Sequence, residues 1–107
     1  MSTNRLLQLQ ALLAESPGDS FLTYAIAKEY EGMGDDQQAL EYYQQLLEAD
    51  PGYVGAYYHL GKLYERIEAV QQALMTYTQG IACARELGDQ HALAELQGAK
   101  VNLEIEL

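Results

Sequence analysis

Apolar positions recur along this chain at three- and four-residue spacings, which is the signature of helices with one buried face. Leu6, Leu9, Leu12 and Leu13 fall together near the N-terminus. Thr23, Ile26, Ala27 and Tyr30 share a second face, and Ala39, Tyr43 and Leu46 a third. Turn-forming residues punctuate the pattern at Pro17-Gly18, Gly34-Asp35, Pro51-Gly52 and Gly88. The spacing predicts helices over about 4–15, 20–32, 36–49, 53–67, 70–87 and 89–105. Asp35 or Asp36 is a suitable N-cap for the third, because a short carboxylate accepts from orphan backbone N–H groups there. Ala, Leu, Gln and Glu are abundant, and Val, Ile and Thr are too sparse for a sheet protein, so the fold class is all-α.

The pattern also repeats. Residues 20–53 laid on 54–87 match Tyr24 with Tyr58, Lys28 with Lys62, Tyr30 with Tyr64 and Glu31 with Glu65. The match continues through Gln37/Gln71, Gln38/Gln72, Ala39/Ala73, Leu40/Leu74, Tyr43/Tyr77 and Gln45/Gln79. Pro17-Gly18 and Pro51-Gly52 keep the same phase. Small Ala27 and Gly61 let the first helix of each pair approach its partner closely at Ala39 and Ala73. Tyr30, Tyr43, Tyr64 and Tyr77 then fill the space around those contacts. Two departures stand out. Glu68 occupies the place of the turn glycine Gly34, so that turn must be built by another residue or be less tight. Arg85-Glu86 stand where Pro51-Gly52 stood, so the second helix of that pair can run on to Gly88.

The second copy reads Tyr57-x-x-Leu60-Gly61-x-x-Tyr64, then Ala73-x-x-x-Tyr77; the first reads Thr23-x-x-Ile26-Ala27-x-x-Tyr30, then Ala39-x-x-x-Tyr43 and Pro51. This resembles the tetratricopeptide repeat, with Tyr57 in place of the usual tryptophan. The resemblance implies a helical-hairpin solenoid in one domain, 1–107, with two full repeats at 20–53 and 54–87. The N-terminal helix in 1–19 and a capping helix in 88–107 would close its ends. The chain looks like the short standalone bacterial members of the family. That implies a non-catalytic protein–protein interaction module or scaffold, whose first helices line a concave groove for a peptide or helix of a partner.

Opposite the core face of the first repeat, Phe21, Tyr24, Lys28 and Glu31 form a stripe. Its equivalent in the second is Gly55, Tyr58, Lys62 and Glu65, flanked by His59 and Arg66. Carried over residue by residue, the resemblance places Tyr24, Lys28, Tyr58 and Lys62 on the partner-binding groove. Tyrosine offers large contact area and one hydroxyl at low entropic cost. The plainer reading is that Lys28–Glu31 and Lys62–Glu65 are surface helix pairs contributing about 0.2–0.5 kcal/mol each. Family members that clamp a C-terminal carboxylate use Lys, Asn and Arg together; the groove here has no asparagine, so that specialised function is not expected.

Charge narrows the partner class. Sixteen acids against six bases give a net charge of −10, with no basic stripe to neutralise phosphates. Nucleic acid and anionic membrane are therefore not expected partners, and a basic or apolar protein surface fits better. Cys83 is the single cysteine, read as a small buried filler, and a cytoplasmic location is the expectation. No secretory signal or membrane-length apolar run stands out. Phosphate loops, nucleophile elbows and metal-spaced ligands are lacking, so neither enzyme activity nor a cofactor is expected. His59 and His91 read as ordinary surface histidines.

The last helix carries two apolar stripes. Leu93, Leu96, Leu103 and Leu107 suit packing on the preceding helix. Ala94, Gly98, Val101 and Ile105 form a second stripe, which supports an alternative reading: a homodimer or larger homo-oligomer assembled through this helix.

Overall fold

The computed structural model describes residues 2–107, and among them it contains six helices and no strand. These are α1 (Ser2–Glu15), α2 (Ser20–Gly32), α3 (Asp36–Ala49), α4 (Gly55–Arg66), α5 (Val70–Leu87) and α6 (Gln90–Glu106). The all-α expectation holds, and the bounds of α2, α3 and α5 coincide with those expected. The chain divides into two compact units, one ending at Asp50 and the other spanning Pro51–Leu107.

In the first unit, Asp19 and Asp35 cap α2 and α3, each accepting from a backbone N–H three residues on. The choice between Asp35 and Asp36 thus falls to Asp35. Gly34 takes a left-handed φ of 80° and makes the tight α2–α3 turn. Ala27 and Ala39 are fully buried where the two helices meet, and the Tyr43 ring is sealed beside them. Leu6 and Leu9 of α1 join Ala25 and Ile26 of α2, with Leu13, Leu22, Tyr30 and Tyr42 against them. Leu12, expected on the same face, is 51% exposed. Leu6, Leu9 and Leu13 follow the i, i+3, i+7 line, and Leu12 stands about 100° off Leu13 around the helix. Tyr30 is only half-buried; it stacks on Tyr42 at 5.6 Å, and its hydroxyl accepts from Gln10 Nε2 at 3.3 Å.

In the second unit, α4 and α5 repeat this hairpin and α6 packs on it. Gly61 sits so close to Tyr77 that a Cβ there would lie 2.2 Å from the ring's Cε1. At Gly80, a Cβ would meet Tyr57 Cβ at 2.6 Å and Leu96 Cδ1 at 3.0 Å. Glu68 resolves the missing turn glycine by taking the left-handed conformation itself, with φ 63°. Its N–H donates to Glu65 O at 3.0 Å and that of Ala69 to Tyr64 O at 2.8 Å, as Gly34 and Asp35 do in the first hairpin. The turn is equally tight, and the strain is carried by a glutamate.

The α5 helix runs to Leu87, as expected, and ends at left-handed Gly88 before Asp89 caps α6. The buried stripe of α6 is Ala92, Leu96, Ala99 and Leu103. Leu93 is half-buried, and Leu107 lies past the helix end at 71% exposure, so the four-leucine stripe is corrected to two leucines and two alanines. Cys83 is likewise not a sealed filler: it is half-buried, and its thiol donates to Pro51 O at 3.6 Å.

Candidate interaction surface

The tyrosine–lysine stripes sit on the first helix of each hairpin. On α2, Phe21 is 61% exposed, and Tyr24, Lys28 and Glu31 are half-buried one turn after another. On α4, Tyr58, His59 and Glu65 are half-buried, while Lys62 and Arg66 are exposed. Helical spacing alone places these side chains, because they fall at i, i+3 or i+4 steps on a face that the hairpin core leaves uncovered.

What fixes the stripes from beneath was not read from sequence. The buried Tyr43 hydroxyl donates to Glu31, and the buried Tyr77 hydroxyl donates to Glu65. Each link spans twelve residues, from the second helix of a hairpin back to the last turn of the first. The recurrence of Glu31/Tyr43 and Glu65/Tyr77 at one spacing was the available signal. Burial, then the bond to Glu65 and its negative charge, then Tyr58, push the Tyr77 phenol well above its ordinary pKa. The Tyr24 ring meets Tyr43 edge-on at 6.3 Å, so the same buried ring seats a tyrosine of the stripe. On α4, Tyr58 and His59 meet edge-on at 5.6 Å, and Lys62 Nζ lies 3.8 Å from Glu65. The i, i+3 ion pair is therefore present in the second hairpin.

Each stripe thus offers an aromatic ring, a hydroxyl and an ammonium beside a carboxylate held from below. Those groups offer stacking area, hydrogen bonding and a positive charge on one helix face. Among the described residues no group of His, Cys, Asp and Glu could hold a metal ion. No helix of the described residues is long and apolar enough to cross a membrane.

On α6, Ala94, Gly98, Val101 and Ile105 are all exposed, Ile105 at 76%. Beside them a cleft of about 550 Å³ opens between α5 and α6, floored by Ile81 and Val101 and edged by Arg85 and Lys100.

Comparison with known proteins agrees with this hairpin geometry. The tetratricopeptide repeat profile matches residues 20–63. The crystal structure of a tetratricopeptide repeat domain protein from Salinibacter ruber is 50% identical, covering 80% of this chain and 96% of that one, with a TM-score of 0.77. A solution structure of such a domain from the same organism is also 50% identical, covering 82% and 89%, with a TM-score of 0.79. The TPR2B domain of yeast Sti1, in a complex with an Hsp70-derived partner, is 15% identical over 99% of this chain and 85% of that one. Its TM-score of 0.90 is a likeness of fold. No protein with a curated description matches the chain. With half of the aligned residues identical across nearly the whole of the Salinibacter ruber domain, this chain belongs to the tetratricopeptide repeat family.

Proposed function

We propose that this chain is a non-catalytic protein-interaction module that binds a peptide or helix of a partner protein on the first-helix faces of its two hairpins. The observation that carries this reading is the duplicated stripe: Tyr24 and Lys28 on α2, Tyr58 and Lys62 on α4. Both stripes are anchored by the same tyrosine–glutamate link, although burying the core does not require a lysine at either place. The yeast Sti1 domain, whose fold is similar, is seen bound to its Hsp70 partner, which supports peptide recognition as the use of such hairpins. Binding would be passive: a prefolded surface engages a segment without ordering itself first, so little of the contact energy is lost. Phe21 and the flanking His59, Arg66, Glu31 and Glu65 complete the proposed contact set. Its net charge of −10 favours a basic or apolar protein segment over nucleic acid, and a cytoplasmic setting suits the single cysteine.

The test is affinity capture from the native host with the chain as bait, alongside the double variant Lys28→Ala/Lys62→Ala. The expected result is a partner retained by the natural chain and lost by the variant, with helicity unchanged by circular dichroism. Undiminished capture by the double variant would move the site elsewhere.

A further inference from the structure

The two repeats differ at one place where the difference leaves a hole. In the second unit, the Pro51 carbonyl receives two donors: the Tyr57 hydroxyl at 2.6 Å and the Cys83 thiol at 3.6 Å. The Tyr57 ring starts from a backbone position tight against Gly80 and is itself buried. The repeat counterparts in the first unit are Pro17, Thr23, Leu46 and Ala49. Both donors are gone. Thr23 is too short to reach, and its hydroxyl already donates to Asp19 O at 3.2 Å on its own helix. Ala49 has no donor at all. Pro17 O consequently accepts from no described residue.

These same counterparts line an open recess of about 180 Å³ between the α1–α2 loop and the C-terminal half of α3. Leu46, in place of Gly80, fills the part next to the α2 backbone and is almost fully buried. What stays open is the outer part, near the proline carbonyl, where the second repeat holds the far end of a phenol.

We propose that this recess receives the side chain of a tyrosine from a protein partner. The ring would lie against Leu46 and Ala49, and the hydroxyl would donate to Pro17 O. This site is separate from the tyrosine–lysine stripes. It also names a side chain that the partner should carry. A carbonyl that gains a neutral hydrogen bond rewards the hydroxyl by roughly 2- to 13-fold in affinity, the equivalent of about 0.5–1.5 kcal/mol.

The test uses p-cresol as a stand-in for the tyrosine side chain, with toluene as the control lacking the hydroxyl. Both are titrated into the isotopically labelled full chain and followed by amide chemical shifts. The expected result is saturable shifts confined to Gly18, Ser20, Thr23 and Ala49 with p-cresol, and binding several-fold weaker with toluene. Shifts scattered over the chain, or toluene binding as tightly as p-cresol, would overturn the proposal. Thr23→Tyr should refill the recess from within and abolish p-cresol binding. Should that variant misfold, Ala49→Leu on the exposed rim plugs the recess instead, and unchanged p-cresol binding by it would equally overturn the idea. Because no partner is present in the titration, its outcome is independent of whether the stripes bind one.

Discussion

Tyr77 reaches from the middle of α5 to donate its phenolic hydrogen bond to Glu65 in the last turn of α4, and Tyr43 does the same to Glu31 one repeat earlier. The link explains why the sequence repeats an acid as faithfully as an aromatic. A fully buried tyrosine has to place its hydroxyl somewhere, and a carboxylate at the hairpin's edge accepts it while keeping its other lone pairs near water. Such a charge-assisted bond is stronger than a neutral one. It closes each hairpin at the end where the turn is made.

This link makes a prediction about alkaline pH. Below pH 10 the Tyr77 phenol is neutral in both folded and unfolded chains, so its ionisation contributes no pH dependence. Burial and Glu65 raise its folded pKa, so as pH climbs past 10 the unfolded chain loses this proton while the folded chain keeps it. Stability therefore falls with rising pH, and this one residue supplies a slope of about 1.4 kcal/mol per pH unit. Urea unfolding from pH 8 to 11 should show Tyr77→Phe less stable by about 1–3 kcal/mol at pH 8, with the gap narrowing above pH 10. A constant gap across the range would mean that Tyr77 titrates normally.

Gly61 is the point of closest approach in the second hairpin. Gly61→Ala puts a methyl group 2.2 Å from the Tyr77 ring, which must swing away from both the core and Glu65. The expected loss is about 1–3 kcal/mol in chemical denaturation, the range for overpacking a well-filled core. The first repeat already carries alanine at this place, fully buried as Ala27, so Ala27→Gly should not gain stability. A stabilised Ala27→Gly would show that the first hairpin is strained too.

Much of the fold could be read from residues that recur, because period, turn residues and small contact positions all mark it. Pro-Gly pairs, Ala39/Ala73 and Tyr43/Tyr77 gave the hairpins, and three helices fell at their observed bounds. What escaped was exchange between positions. Thr23 with Leu46 and Tyr57 with Gly80 fill a hairpin with small and large swapped, and a sequence read position by position sees only two mismatches. The tyrosine–glutamate links escaped for a related reason: Glu31 and Glu65 looked like partners of the neighbouring lysines, and an acceptor beneath them is visible only once the hairpin closes. Leu12 and Leu107 misled because apolar character says nothing about the last degrees of helical phase or about a helix end.

Glu68 holds a backbone conformation that costs a residue with a Cβ roughly 1–2 kcal/mol, whereas the matching turn uses Gly34. Glu68→Gly relieves that cost but also loosens the unfolded chain, which returns part of the gain. The net expectation is a stabilisation of about 0.5–1 kcal/mol, seen as a higher urea midpoint with an unchanged m-value. The reverse exchange, Gly34→Glu, should cost a similar amount. If Glu68→Gly were destabilising, the side chain would have to hold a compensating contact of its own.

The N-terminus of α5 offers the opposite experiment, a missing interaction that can be supplied. Its cap residue is Ala69, with φ −95° and ψ 70° and no side-chain hydrogen bond to the helix. Asp35, its repeat counterpart, has φ −92° and ψ 76° and accepts from Gln38 N at 3.2 Å. The two backbones are nearly superposable in dihedral space, so an aspartate at 69 should meet the Gln72 N–H without rearrangement. It would also set a negative charge at the positive end of the helix dipole. Ala69→Asp is expected to stabilise the chain by about 0.5–2 kcal/mol, with Ala69→Asn giving a comparable gain. Glu68 beside it adds repulsion on the aspartate alone. An asparagine variant that outperforms aspartate at low salt, with the two converging at 0.5 M NaCl, would separate the cap bond from that charge; no gain from either would mean that the α5 N-terminus is already satisfied by solvent.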